Sequence, residues 1–267
     1  RTRARESGRA AKDLALVDRS GVGGQVCGMR TATKWIVGID VRPTSDGAVA
    51  FAAWLQAQTQ ATLIGVHVAA REMFAALDQL AGPVQSDTRL RAELERSLAE
   101  MGVGEAFARV EVIDAMDPVG PLEAKCAAEG ASGLIIGRVA RRSGDELVRL
   151  GAVARRLLRE LAAPIWVVPP DLSAAAIGAG AVLVAVTPNE DSVGAVRVGA
   201  RMATALGRTL IFVRVVNAVV EHASLFPPGE ALREREAELL REAEAQTRGW
   251  LMDLEVEGPL DMRRGGT

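Results

Sequence analysis

"GLIIGRVARRSGDELVRLGAVARRLLRELAAPIWVVP" occupies residues 133–169. It opens on a short apolar run closed by Gly137. Arginines follow at 138, 141, 142, 149, 155 and 156, and a further glycine, Gly151, introduces an apolar helix pattern. A run this short and this apolar reads as a strand buried on both faces. The segment 150–163 reads as a helix and "PIWVVP" (164–169) as another strand. Strand, glycine-bearing loop and helix start are also the parts of a phosphate cradle. Glycine lets the backbone approach a ligand closely, and a helix N-terminus offers unpaired N–H groups and the positive end of its dipole.

The preceding residues repeat this alternation. "KWIVGID" (34–40), "ATLIGVHVA" (61–69) and "ARVEVID" (108–114) read as strands. Between them, 43–58, 87–102 and 119–130 carry helical spacing, with Ser45 and Asp46 as N-cap candidates and Gly102 and Gly130 as stops. Alternating strands and helices of this length predict an open, parallel, five-stranded α/β sheet with helices on both faces.

The pattern then restarts. Displaced by 147 positions, residues 35–68 align with 182–215 without a gap, and eleven of the 34 pairs are identical. Ser-x-Gly-Ala-Val occurs in register at 45–49 and 192–196. Convergence on α/β patterning supplies stray valines and alanines, not that string twice, so the chain is read as an internal repeat. The expected organisation is a disordered extension over 1–33, a first domain over 34–170, a linker over 171–179 and a partial second copy over 180–267. The copy is expected to hold two strands, a charged helix over about 229–254 and the start of a third strand. Residues 1–33 carry seven basic and three acidic side chains, and Gly21, Gly23, Gly24 and Gly28 break any periodicity.

Composition removes several functions. Apolar residues make up 49% and charged residues 25% of the 267, with a net charge of −2. That balance provides no basic field for nucleic acid. Aromatics are 3% with no tyrosine, so base-stacking platforms are not expected. Two cysteines without a C-x-x-C pair argue against a disulfide framework or a zinc centre, and two histidines argue against a histidine-based metal site or triad. The start has no apolar run of signal length. The uncharged stretch 172–189 is rich in Ala and Gly, and its second half belongs to the repeat. A soluble, cytoplasmic protein without membrane or nucleic-acid partners is the expectation.

In open α/β sheets ligands settle beyond the C-terminal strand ends, where the strand order reverses. Asp40 closes the first strand and Gly137 the fourth; if these strands are neighbours, the carboxylate, the glycine loop and the helix start at Gly151 face one crevice. These residues carry a resemblance. Residues 34–170, through Asp40, the "VHVA" of the second strand and "GLIIGRVARRSG…LGAVARRLLRELAAPIWVVP", resemble the universal stress protein family, and 180–267 resemble the first part of a second such domain. The resemblance implies an adenine-nucleotide α-hydrolase-like fold and a stress-response role, without enzymatic activity. It implies ATP or another adenine nucleotide as ligand. Asp40 and Val68 would lie around adenine and ribose, Ile136 and Gly137 would line the pocket, and the main chain of Gly151, Ala152 and Val153 would hold phosphates. It further implies a homodimer or an intramolecular pseudo-dimer.

The chain departs from the family's G-x2-G-x9-G-[ST] pattern at three points. Ala140 replaces the second glycine, the spacing to Gly151 is one residue longer, and Ala152 replaces the hydroxyl residue. A lost neutral hydroxyl contact costs roughly 0.5–1.5 kcal/mol. A Cβ where φ must be positive costs about 1–2 kcal/mol. The site is therefore read as degenerate, and a ligand-free dimerisation or interaction module of the same fold is the alternative. No general base, nucleophile or Mg²⁺ site stands beside the loop. In the second copy Thr187 stands where Asp40 would be.

Overall fold

The first sheet is built from β1 (Lys34–Gly38), β2 (Thr62–Ala69), β3 (Phe107–Asp114), β4 (Gly133–Gly137) and β5 (Ile165–Val168). Every pairing is parallel and the order is β3-β2-β1-β4-β5. The computed structural model describes residues 33–40, 45–70, 72, 86–138, 150–216 and 230–265. The chain divides into Arg1–Thr31 and Ala32–Thr267, and all the described residues belong to the second unit.

The strands alternate their side chains between two apolar layers, as the period of two requires. Trp35, Val37, Leu63, Val110 and Ile135 face one layer. It is closed by α1 (Asp46–Thr59), through Val49, Phe51 and Leu55, and by α2 (Ser86–Glu100), through Leu94 and Leu98. Ile36, Ile64, Val66, Leu134 and Ile136 face the other. It is closed by α3 (Val119–Glu129), through Leu122 and Cys126, and by α4 (Ala152–Glu160), through Ala154 and Leu157. Apolar residues on both strand faces are what a parallel sheet between helix layers needs. The strand and helix positions expected from the sequence are observed within a few residues. The largest difference is the last helix of this set, which begins at Ala152 and ends at Glu160 rather than running over 150–163.

Beyond β5 the chain passes a short 3₁₀ turn (Ala174–Ala176) and enters a second parallel sheet. It comprises β6 (Val182–Ala185), β7 (Leu210–Val216) and β8 (Leu260–Arg264), in that order, with α5 (Glu190–Leu206) and α6 (Glu230–Asp253) between them. The β1–β2 pairs Trp35↔Leu63, Ile36↔Ile64, Val37↔Gly65 and Gly38↔Val66 recur, displaced by 147, as Val182↔Leu210, Leu183↔Ile211, Val184↔Phe212 and Ala185↔Val213. Helix ends match as well: α1 stops at a left-handed Gln60 (φ 59°) and α5 at a left-handed Gly207 (φ 60°). In the third strand the displacement becomes 150, since Val66↔Glu111 corresponds to Val213↔Asp261.

One contrast between the halves is steric. At Gly47 a Cβ would overlap the carbonyl of Pro169, so the exit of β5 lies directly on α1; at the corresponding Gly194 nothing stands within 4 Å of that position. The second sheet is also barer, with Leu183 66% exposed where Ile36 is fully buried. Its own core is Val184, Val186, Val196, Phe212 and Leu251. The halves share apolar surface. Met202 of α5 is buried in the α1 layer of the first sheet, and the Arg208 guanidinium lies 5.1 Å from the ring centre of Trp54.

Candidate functional site

The sheet order reverses between β1 and β4, which pair directly through Trp35↔Gly133, Ile36↔Leu134 and Val37↔Ile135. This adjacency brings the chain leaving β1 and the chain leaving β4 to the same end of the sheet. Asp40 lies two residues past the end of β1 and is half-buried. On the neighbouring strand Val68 is half-buried and packs into the layer that holds Ile136, Leu150 and Ala154. Gly137 ends β4, and Arg138 continues the ladder through its N–H to the Val168 carbonyl (2.8 Å).

Gly151 is the N-cap of α4, with extended backbone (φ −61°, ψ 162°). The first N–H groups of a helix have no partner within it, so Ala152 and Val153 present main-chain donors there. Val153 is 38% exposed and Ala154 is 4% exposed, which orients the helix with its first turn partly open and its next residue in the core. The predicted residues Asp40, Val68, Ile136, Gly137, Gly151, Ala152 and Val153 therefore occupy the strand exits or the helix start. Ala140 and the arginines at 141, 142 and 149 lie outside the described residues.

The remaining arginines divide. Arg156 is taken up by Asp117 (2.8 Å) and Glu160 (3.6 Å), and these carboxylates raise its pKa. Arg138 keeps its Nε buried and without a hydrogen-bond partner among the described residues. Also among the described residues, no group of three His, Cys, Asp or Glu side chains is placed to hold a metal ion. No described helix is long and apolar enough to cross a membrane.

Two residues not predicted for the site organise the Asp40 backbone. Ser45 occupies the N-cap position of α1, but its hydroxyl does not cap the helix. It turns back to Asp40, accepting from the Asp40 N–H (3.2 Å) and donating to the Asp40 carbonyl (2.9 Å). His67 is 4% exposed and its Nδ1 lies 2.8 Å from the Ile39 carbonyl. A carbonyl oxygen only accepts, so Nδ1 carries the proton in this contact. The sequence signal for Ser45 was its recurrence at Ser192, whose hydroxyl accepts from the Thr187 N–H (3.1 Å). For His67, an apolar strand pattern does not show which backbone group a buried imidazole meets.

A groove of another kind lies elsewhere. It measures about 570 Å³ and is lined by Ala162–Trp166, by Val182–Ala185 and by the Gly194, Ala195, Val198, Gly199 and Met202 side of α5. Its walls are the start of β5 and the second sheet rather than the exits of β1 and β4.

The model of the Universal stress protein family matches residues 32–169. The chain belongs to the universal stress protein family. Two solved structures agree on the fold. A universal stress protein from Archaeoglobus fulgidus DSM 4304 is 16% identical, with 88% of this chain and 80% of that one covered and a TM-score of 0.58. A putative universal stress protein from Pseudomonas aeruginosa UCBPP-PA14 is 17% identical over 88% and 75% of the two chains, with a TM-score of 0.50. A universal stress protein solved in complex with cAMP is 19% identical over 52% and 98%, with a TM-score of 0.35. No curated protein sequence matches the chain.

Proposed function

We propose that this protein is a non-enzymatic stress-response module that binds an adenine nucleotide of the ATP class where β1 and β4 diverge. The observation that carries this reading is the strand-order reversal, with Asp40 beyond β1 and the N-terminus of α4 beyond β4. Asp40 accepts from the ribose or the adenine amino group. Val68, Ile136 and Gly137 form the apolar wall, and the main chain around Gly151, Ala152 and Val153 holds phosphate at the helix start. Ala152 supplies no hydroxyl, so phosphate binding rests on main-chain groups and on cations such as Arg138.

Residues 180–267 are proposed as a partial second copy of the 34–170 domain, joined by the 171–179 linker. The register shared by β1–β2 and β6–β7 supports this. The copy carries no nucleotide, because Thr187 replaces the carboxylate. Thermal denaturation with ATP, AMP and cAMP tests the assignment: a ligand at a hundred times its Kd adds about 2.7 kcal/mol to stability. No shift with any of them at millimolar concentration removes the nucleotide reading. Binding that survives undiminished in Asp40→Ala removes the assignment of Asp40.

A second reading has its own support. Leu183 and Val215 of the second sheet are 66% and 59% exposed, and β6 and β5 are edge strands of their sheets. Bare apolar positions and open edges are features of an interaction module that pairs with a second copy of itself. Light scattering across a concentration series separates the two. A ligand-free protein that dimerises favours the interaction module, and a monomer whose stability responds to ATP favours the nucleotide carrier.

A further inference from the structure

Of the described side chains, the buried polar ones are Ser45, His67 and Thr247, and two of these three converge on one peptide group. The Ile39–Asp40 peptide is held at both ends, its carbonyl by His67 and its N–H by Ser45. The next carbonyl, that of Asp40, accepts from the same serine hydroxyl, and the peptide before is tied to β2 by the Ile39 N–H on the Val66 carbonyl (2.9 Å). Three consecutive peptide groups are thus fixed where β1 has already ended. A buried imidazole is costly in a strand that valine would fill, and the more so with Nε2 unpartnered among the described residues.

The second half supplies an internal control. It keeps the ladder bond (Val186 N–H to Val213 carbonyl, 2.9 Å) and the serine, as Ser192. It lacks the carboxylate, with Thr187 in that place, and it lacks the imidazole. Arg214 stands at the His67 position and turns to α6, donating to the Ala243 carbonyl (2.7 Å) and to Thr247 Oγ1 (2.6 Å). Carboxylate and imidazole are absent together, although the strand register is unchanged.

We infer that Ser45 and His67 are positioning residues: they set the direction of the Asp40 carboxylate by clamping the peptide groups on either side of it. The inference rests on the nucleotide reading for its consequence and on the hydrogen bonds for its geometry. Each clamp is made of hydrogen bonds to the backbone, so losing either one weakens ATP binding by about fivefold. Both act through Asp40, and the losses therefore vanish once the carboxylate is gone.

The experiment is calorimetric titration of ATP into the full chain as wild type, Ser45→Ala, His67→Leu and Asp40→Asn. The two clamp variants are then repeated in the Asp40→Asn background, with amide exchange at Asp40 followed in each protein. Weakened binding in the Asp40 background only, with rescue by His67→Asn, which retains a donor near the Nδ1 position, is the expected result. An equal loss in both backgrounds, or full affinity in the clamp variants, overturns it. A wild-type protein that binds no adenine nucleotide defeats the site reading alone. The Asp40 amide then decides the clamp: faster exchange in Ser45→Ala and His67→Leu upholds it, and unchanged exchange overturns it.

Discussion

Replacing Gly47 and Gly194 separately by alanine asks whether the two halves, alike in register, are alike in packing. The glycines occupy equivalent positions near the starts of α1 and α5. A Cβ at Gly47 meets the Pro169 carbonyl, which is backbone at the exit of β5 and has no flexible end to move aside. Overpacking of this sort costs about 1–3 kcal/mol. At Gly194 the same atom enters open space, and alanine inside a helix gains about 0.5–1 kcal/mol over glycine. A change of 1 kcal/mol moves Tm by roughly 2–4 °C for a protein of 150–250 residues. Gly47→Ala is therefore expected to lower Tm by about 2–12 °C and Gly194→Ala to raise it by about 1–4 °C. Differential scanning calorimetry on the two variants and the wild type measures the difference directly. A Gly47→Ala protein as stable as wild type would refute the seating of the β5 exit on α1. Equal losses in both variants would refute the contrast between the halves.

Acid should act through Glu129, whose carboxylate is held down to about 2, first by Lys34 and then by Lys125 and Arg109. A folded pKa below the unfolded value of about 4.3 contributes stability that is complete above that value and is lost as pH falls from there towards 2. The Tm advantage of wild type over Glu129→Gln is thus expected to be constant at neutral pH and to shrink below about pH 4.3, read by calorimetry at stepped pH. Burial pushes the Cys126 thiol up to about 11, with Glu123 adding to the rise. In a Cys27→Ser protein at pH 8, a disulfide reagent should react with Cys126 slowly until denaturant is added; prompt reaction in the native state would contradict its burial.

How far the sequence carried the reading differs from residue to residue. The five-stranded sheet was legible because a strand buried on both faces is written as an uninterrupted apolar run, as in Trp35–Val37 and Leu134–Ile136. The matching strand register of 35–68 and 182–215 was legible because Ser-x-Gly-Ala-Val fixes an alignment that valines alone do not. The third strand of the second sheet was legible only in part, as the displacement shifts from 147 to 150 past a charged helix whose composition says little about loop length. The adjacency of β1 and β4, which gathers the candidate site, was a condition that the sequence left open, and it is observed. The clamp on Asp40 did not follow. Serine before a helix reads as a cap from local chemistry, and only three dimensions show its hydroxyl turned back by five residues.

Met202 lies within the first sheet's core while its own helix belongs to the second. This shared residue has a thermodynamic meaning: the two sheets do not melt independently. Unfolding the second strips cover from the layer that contains Phe51 and Leu55, and unfolding the first removes the floor on which α5 rests. Their free energies of unfolding are coupled through one helix face. A perturbation of the second half is then transmitted as a change in the stability of the half that carries Asp40, without any contact to Asp40 itself.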